Sequence, residues 1–116
     1  EVLSDTTDKL YLPEVDENAS ASWFGFPVTV KEGVNRDKIV QALEGKRIQT
    51  RMLFSGNLVK HPCFDEMRAS GKGYRVIGEL TDTDRTLFDT FWVGVYPGMT
   101  KAMLDYMAKV MKEAID

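Results

Sequence analysis

The stretch Trp23-Phe24-Gly25-Phe26-Pro27-Val28-Thr29-Val30 decides the fold. Phe24, Phe26, Val28 and Val30 fall on one face, and Trp23, Gly25, Pro27 and Thr29 on the other. Apolar residues recurring at every second position form one face of a β-strand. Pro27 has no N–H to give a ladder, so this strand is expected at an edge or with a bulge there.

Working outward from it, Gly33 turns the chain and Asn35 is placed to cap a helix over residues 36–44. Ile39, Val40 and Leu43 supply its apolar stripe, and Gly45 suits a left-handed residue just past its end. A second strand is predicted from about Ile48 to Phe54, with Ile48, Met52 and Phe54 on one face. Arg47, Gln49 and Arg51 occupy its other face. Residues 55–75 read as a long loop with a helical turn at Phe64–Ala69, and loops of that length are often functional. Thr81-Asp82-Thr83-Asp84 has the form of a helix start leading into a short helix near 83–89. Phe91 to Tyr96 is a third strand, closed by Pro97-Gly98. Thr100 then caps a last helix to about Ala114. Met103, Met107, Val110, Met111 and Ala114 share its apolar face, opposite Lys101, Asp105, Lys109 and Lys112. Upstream, residues 1–21 show no sustained period and read as a connecting segment, with residues 22–116 as the domain. The expected class is α+β: a small three-stranded sheet packed with helices.

A chain of 116 residues suits one domain, and 43% hydrophobic with 28% charged residues is ordinary for a globular protein. The net charge of −3 gives no general reason to expect nucleic acid as a partner. No apolar run approaches the roughly 20 residues that cross a bilayer, so no membrane is expected either. The start, Glu1-Val2-Leu3-Ser4, lacks an initiator Met, a basic region and an apolar region, so it is not read as a signal peptide. A piece of a longer chain and a processed protein would both begin this way. Cys63 is the only cysteine and His61 the only histidine, which excludes an intrachain disulfide and the usual ligand set of structural zinc. A reducing, cytoplasmic setting is the expectation. Acids crowd residues 1–20, whereas residues 46–75 carry seven Lys and Arg against Asp65 and Glu66. Such a basic segment marks an approach for an anionic ligand, or is simply solvated.

No generic catalytic signature is present: Gly71-Lys72-Gly73 is too short for a phosphate loop, and Cys63 beside His61 is not thereby a nucleophile–base pair. The segment from Thr50 to Pro62 is more informative. A strand delivers Arg51 and runs into a loop bearing Ser55, Asn57, Lys60 and His61. Polar groups at a strand end commonly hold polar ligands, although the same residue types also serve turns and caps. Trp23 and Trp92, each beside a Phe, are expected in the core or at an interface.

Four ordered motifs then carry a resemblance. They are Ser22-Trp23-Phe24-Gly25-Phe26-Pro27, Thr50-Arg51-Met52-Leu53-Phe54-Ser55-Gly56-Asn57-Leu58, Tyr74-Arg75-Val76-Ile77-Gly78-Glu79-Leu80, and Thr90-Phe91-Trp92-Val93-Gly94-Val95-Tyr96-Pro97-Gly98. Together they resemble the C-terminal domain of the DegT/DnrJ/EryC1/StrS sugar aminotransferase family, in its CDP-4-dehydro-6-deoxyglucose 3-dehydrase subfamily. The resemblance runs from about Leu10 to the end of the chain. It implies the small C-terminal domain of the aspartate-aminotransferase fold, within a homodimer whose upstream domain holds pyridoxamine or pyridoxal phosphate. It further implies a CDP-sugar substrate that loses its C3 hydroxyl, a 2Fe-2S cluster, and a partner reductase that supplies electrons, in lipopolysaccharide O-antigen biosynthesis.

One Cys cannot ligate such a cluster, and the lone His does not match the base of the cofactor domain, so no catalytic residue and no cofactor ligand is assigned to this chain. On this resemblance the isolated chain is expected to be inactive. Arg51, Ser55, Asn57 and His61 are the candidates for contacting the sugar or its diphosphate: Arg through its bidentate fork, Asn and Ser toward hydroxyls. The resemblance departs at Lys60-His61, where the subfamily more often carries Arg-Gln before the Pro. An aminotransferase of the same family and a non-enzymatic binding or assembly module remain as alternatives.

Overall fold

The computed structural model describes residues 2–115. Strands β1 (Leu10–Tyr11), β2 (Gly25–Val30), β3 (Thr50–Met52) and β4 (Thr90–Gly94) form one antiparallel sheet in the order β1-β2-β4-β3. Helices α1 (Arg36–Gly45), α2 (Asp65–Ser70), α3 (Thr81–Asp89) and α4 (Lys101–Ile115) complete the α+β architecture. Among the described residues no helix is long and apolar enough to cross a membrane.

The sheet has four strands, not three. The addition is β1, whose Leu10 pairs with Val30 and is buried with the core. A two-residue strand shows no alternation, which is why its period was not readable. Leu3 and Thr6 are buried as well, so residues before Trp23 pack onto the sheet.

β2 lies inside the sheet, yet Pro27 is accommodated as expected of an edge. β1 pairs only with Thr29 and Val30, so at Pro27 the strand is partnered by β4 alone. The inward face carries Val28 and Val30 of β2 with Phe91 and Val93 of β4. Against it pack Ile39 and Leu43 of α1 and Val110, Met111 and Ala114 of α4. Both predicted caps are present: Asn35 Oδ1 accepts from the Lys38 N–H at 3.0 Å, and Thr100 Oγ1 from the Met103 N–H at 3.3 Å.

Other details differ from the sequence reading. The left-handed residue after α1 is Arg47 (φ 62°), not Gly45, which closes the helix. β3 ends at Met52. Phe54 then turns into positive φ, so Met52 and Phe54 are exposed and only Ile48 and Thr50 of that face are buried. Thr81 is the first residue of α3 and makes no capping bond; the residue before it, Leu80, stands at the cap position. Met103, at the start of α4, is also exposed.

Candidate functional site

Residues directly opposite in an antiparallel pair point to the same side of the sheet. Pro27 faces Trp92, and Trp92 faces Arg51, so these three form a row on the side opposite Phe91 and Val93. The Arg51 side chain is exposed, and its Nη1 donates to the Thr50 carbonyl at 3.3 Å. Glu44, at the end of α1, anchors the start of β3: its Oε1 accepts from Thr50 N at 2.6 Å and from Thr50 Oγ1 at 2.8 Å. These bonds, with a smaller contribution from the Arg51 charge, hold the Glu44 carboxyl below its ordinary value.

Beyond Met52 the chain turns sharply, with Phe54 (φ 47°) and Gly56 (φ 54°) both in the left-handed region. Phe54 is 81% exposed. Ser55 is exposed, and its carbonyl receives a 2.6 Å hydrogen bond from His61 Nε2. A carbonyl only accepts, so Nε2 carries the proton.

Asn57 is 2% exposed. Its Oδ1 accepts from the Val59 N–H at 3.1 Å, and its Nδ2 donates to Asp84 Oδ1 at 2.7 Å. Lys60 reaches the other Asp84 oxygen at 2.7 Å, with its ammonium 5.5 Å from the Phe88 ring centre. Hydrogen bonds from Lys60 and then Asn57 hold the Asp84 carboxyl below its ordinary value. Arg68 of α2 donates Nη1 to the carbonyls of Val59 and His61. Ser55, Asn57 and His61 are thus brought together in one hydrogen-bonded loop, while Arg51 stands apart on β3.

The geometry divides the work. Arg51 and Ser55 present polar groups to solvent, and an exposed guanidinium suits a phosphate. Asn57 has an intramolecular partner on each polar atom and fixes the loop's shape. Beside Arg51 lies a hollow of about 220 Å³, lined mainly by Trp23, Phe24, Leu53, Phe54 and Trp92. Phe24 and Trp92 pack with ring centres 5.4 Å apart. Trp23 is exposed and Trp92 half-buried, so both lie at the surface, outside the buried core.

Sequence reasoning missed two residues here. In the sequence Asp84 reads only as the acid of a helix start, and Phe54 only as a residue on the Ile48 and Met52 face of the second strand. The alternation of β3 held no sign of the turn; Gly56 was its one visible marker.

The residues present do not fit the cofactors that the resemblance implies. A lone, exposed Cys63 cannot ligate a 2Fe-2S cluster, and among the described residues no three His, Cys, Asp or Glu side chains gather as metal ligands would. A pyridoxal group needs a base beside its ring and a cradle of donors for its phosphate. The hollows beside β3 and its loop are lined by apolar side chains, with Ser22, Arg68 and Tyr74 the polar exceptions. No reaction step through either group is therefore derived from this chain.

Comparison with known proteins places this arrangement. The lipopolysaccharide biosynthesis protein RfbH of Salmonella typhimurium is 48% identical over 113 residues, covering 96% of this chain and 25% of its own length. A dTDP-4-dehydro-2,6-dideoxy-D-glucose 3-dehydratase of Saccharopolyspora spinosa is 41% identical over 108 residues, covering 91% of this chain and 22% of its own. The chain thus spans about a quarter of the length of these curated relatives. Among solved structures, E. coli GDP-4-keto-6-deoxy-D-mannose-3-dehydratase with bound hydrated PLP superposes with a TM-score of 0.73. Its identity is 24%, covering 95% of this chain and 28% of that one. A DegT DnrJ EryC1 StrS aminotransferase from Brucella abortus gives a TM-score of 0.75 at 14% identity, covering 98% and 28%. At such identities the structural likeness shows the fold alone. The model of the DegT/DnrJ/EryC1/StrS aminotransferase family matches residues 1–112, and the chain belongs to that family.

Proposed function

We propose that this chain is the C-terminal small domain, centred on residues 22–116, of a nucleotide-sugar 3-dehydrase. The full-length enzyme would remove the C3 hydroxyl of a CDP-4-keto-6-deoxyhexose during the synthesis of 3,6-dideoxyhexoses for lipopolysaccharide. The observation that carries this reading is the pair of relatives above 40% identity along nine tenths of the chain: one named for lipopolysaccharide biosynthesis, the other a 3-dehydratase of a nucleotide-linked keto sugar. In this reading pyridoxamine phosphate and the 2Fe-2S cluster belong to the upstream domain. A second subunit completes the dimer, and a separate reductase supplies electrons.

The chain's own part is to close one side of the sugar cleft. Arg51 meets the diphosphate, Ser55 and His61 meet sugar hydroxyls, and Asn57 contributes through the shape it imposes on their loop. Closing such a cleft expels water, which strengthens the charge interaction made by Arg51.

The test uses the full-length protein with a CDP-4-keto-6-deoxyhexose. Arg51→Ala is expected to raise KM by about tenfold or more, the scale of a lost charge-assisted hydrogen bond. Unchanged KM and turnover would remove Arg51 from the site. A product that keeps its C3 hydroxyl and gains an amino group at C4 would replace dehydration by transamination.

A further inference from the structure

Asp84 lies on α3, 27 residues from Asn57 in sequence, yet both of its carboxylate oxygens are spent on the candidate loop. Asn57 takes one and Lys60 the other, each at 2.7 Å. The neighbouring residues on the same side of the helix join in. Asp84, Leu87 and Phe88 stand at i, i+3 and i+4 and so share one face. Gly56 approaches Leu87 so closely that a Cβ there would lie 2.8 Å from the Leu87 Cα, and Lys60 lies over Phe88. The loop is then closed on itself by the bond from His61 Nε2 to the Ser55 carbonyl. From the far side Arg68 holds the Val59 and His61 carbonyls.

Resting on the reading of this loop as part of the sugar cleft, we infer that Asp84 is a positioning residue of that site. It fixes residues 55–61 against α3 so that Ser55 and His61 meet the ligand already ordered. Two features separate this role from ordinary helix support. Both oxygens serve the loop, with none turned to the helix's own N–H groups. The groups they hold are the buried Asn57 and the Lys60 adjoining His61. A loop ordered beforehand does not lose its freedom on binding, so the benefit falls on substrate affinity.

The experiment has two arms. In the first, hydrogen exchange is measured on the full-length protein carrying Asp84→Ala or Asp84→Asn. Alanine is expected to speed exchange of the Val59, Lys60 and His61 amides by about tenfold or more, leaving β4 and α4 protected. Asparagine keeps an acceptor for Asn57 and should lie between alanine and wild type. In the second arm, full-length protein carrying Asp84→Ala should show KM raised about tenfold with kcat changed much less, and Asp84→Asn should recover part of the loss. Unchanged loop exchange in Asp84→Ala overturns the inference whatever the kinetics. Faster exchange with unchanged KM, while Arg51→Ala raises KM, overturns it and leaves the reading of the site standing. Unchanged KM in both variants overturns the reading itself, and the positioning role with it.

Discussion

The indole of Trp92 lies across the backbone of Gly25, so that a Cβ at that position would sit 2.3 Å from Trp92 Cε3. These residues are offset by two positions along the ladder: Gly25 pairs with Gly94, and Trp92 pairs with Pro27. The ring therefore lies diagonally over a position that only hydrogen can occupy. Gly25→Ala is expected to push Trp92 out of its contact with Phe24 at a cost of about 1–3 kcal/mol, the range for overpacking. Near-ultraviolet circular dichroism should lose aromatic signal while the far-ultraviolet spectrum keeps its helix content. An unchanged aromatic spectrum and unchanged denaturation midpoint would contradict the packing described.

Gly56 is the second glycine that no other residue replaces. Its φ of 54° lies in the left-handed region, and its Cα faces the Leu87 backbone. Alanine there meets both a conformational penalty and a collision with backbone, which cannot swing aside as a side-chain tip could. Gly56→Ala should destabilise the chain by about 1–3 kcal/mol. Gly71 also has a positive φ, but nothing lies within 4 Å of its would-be Cβ, so urea titration of the two variants should show a smaller loss for Gly71→Ala than for Gly56→Ala.

Phe91 is fully buried at the centre of the inward face. Phe91→Ala is expected to cost about 3–5 kcal/mol, a large part of the stability of a domain this size. The reading is a lowered urea midpoint with little change in slope. A loss below 1 kcal/mol would mean that the core is centred elsewhere.

The bonds from Thr50 to Glu44 give a pH prediction. A carboxyl whose folded value is depressed lends stability that is fully present above its unfolded value and fades as pH falls through the folded one. Wild-type stability should therefore drop as pH falls below about 4.3, the ordinary glutamate value. Glu44→Gln should be less stable at neutral pH and show a shallower decline on acidification. The check is the thermal midpoint measured from pH 7 downward; parallel curves for the two proteins would contradict it.

How much of this was legible in the sequence depended on whether the signal was local. The stripe of Ile39 and Leu43, the Asn35 and Thr100 caps and the alternation of β2 from Phe26 to Val30 involve neighbours along the chain, and each emerged in place. Trp23 and Phe24 did not, because the strand begins at Gly25 and Phe24 packs on Trp92 of the opposite face. β1 did not, because two residues have no period. Phe54 was misassigned for a related reason: alternation says where a strand runs but not where the backbone leaves it, and here it leaves after Met52. The candidate loop was legible as a polar segment following Arg51. Its internal order was not, because the bond from Asn57 to Asp84 joins side chains 27 residues apart. Residue type allowed Asn57 to be a ligand contact, and its burial made it a structural anchor.

Pro27 has a consequence for how the chain behaves in solution. Where β1 ends, the first four residues of β2 are left without a strand on that flank, the kind of strand margin that recruits other chains and seeds fibrils. Proline in that stretch removes one of the amide hydrogens an incoming strand would need. The exposed aromatic rings nearby add stickiness, but the adjoining backbone offers a poor template for growth. Strand addition at this flank of β2 is thus disfavoured, while side-chain contact through the rings is not.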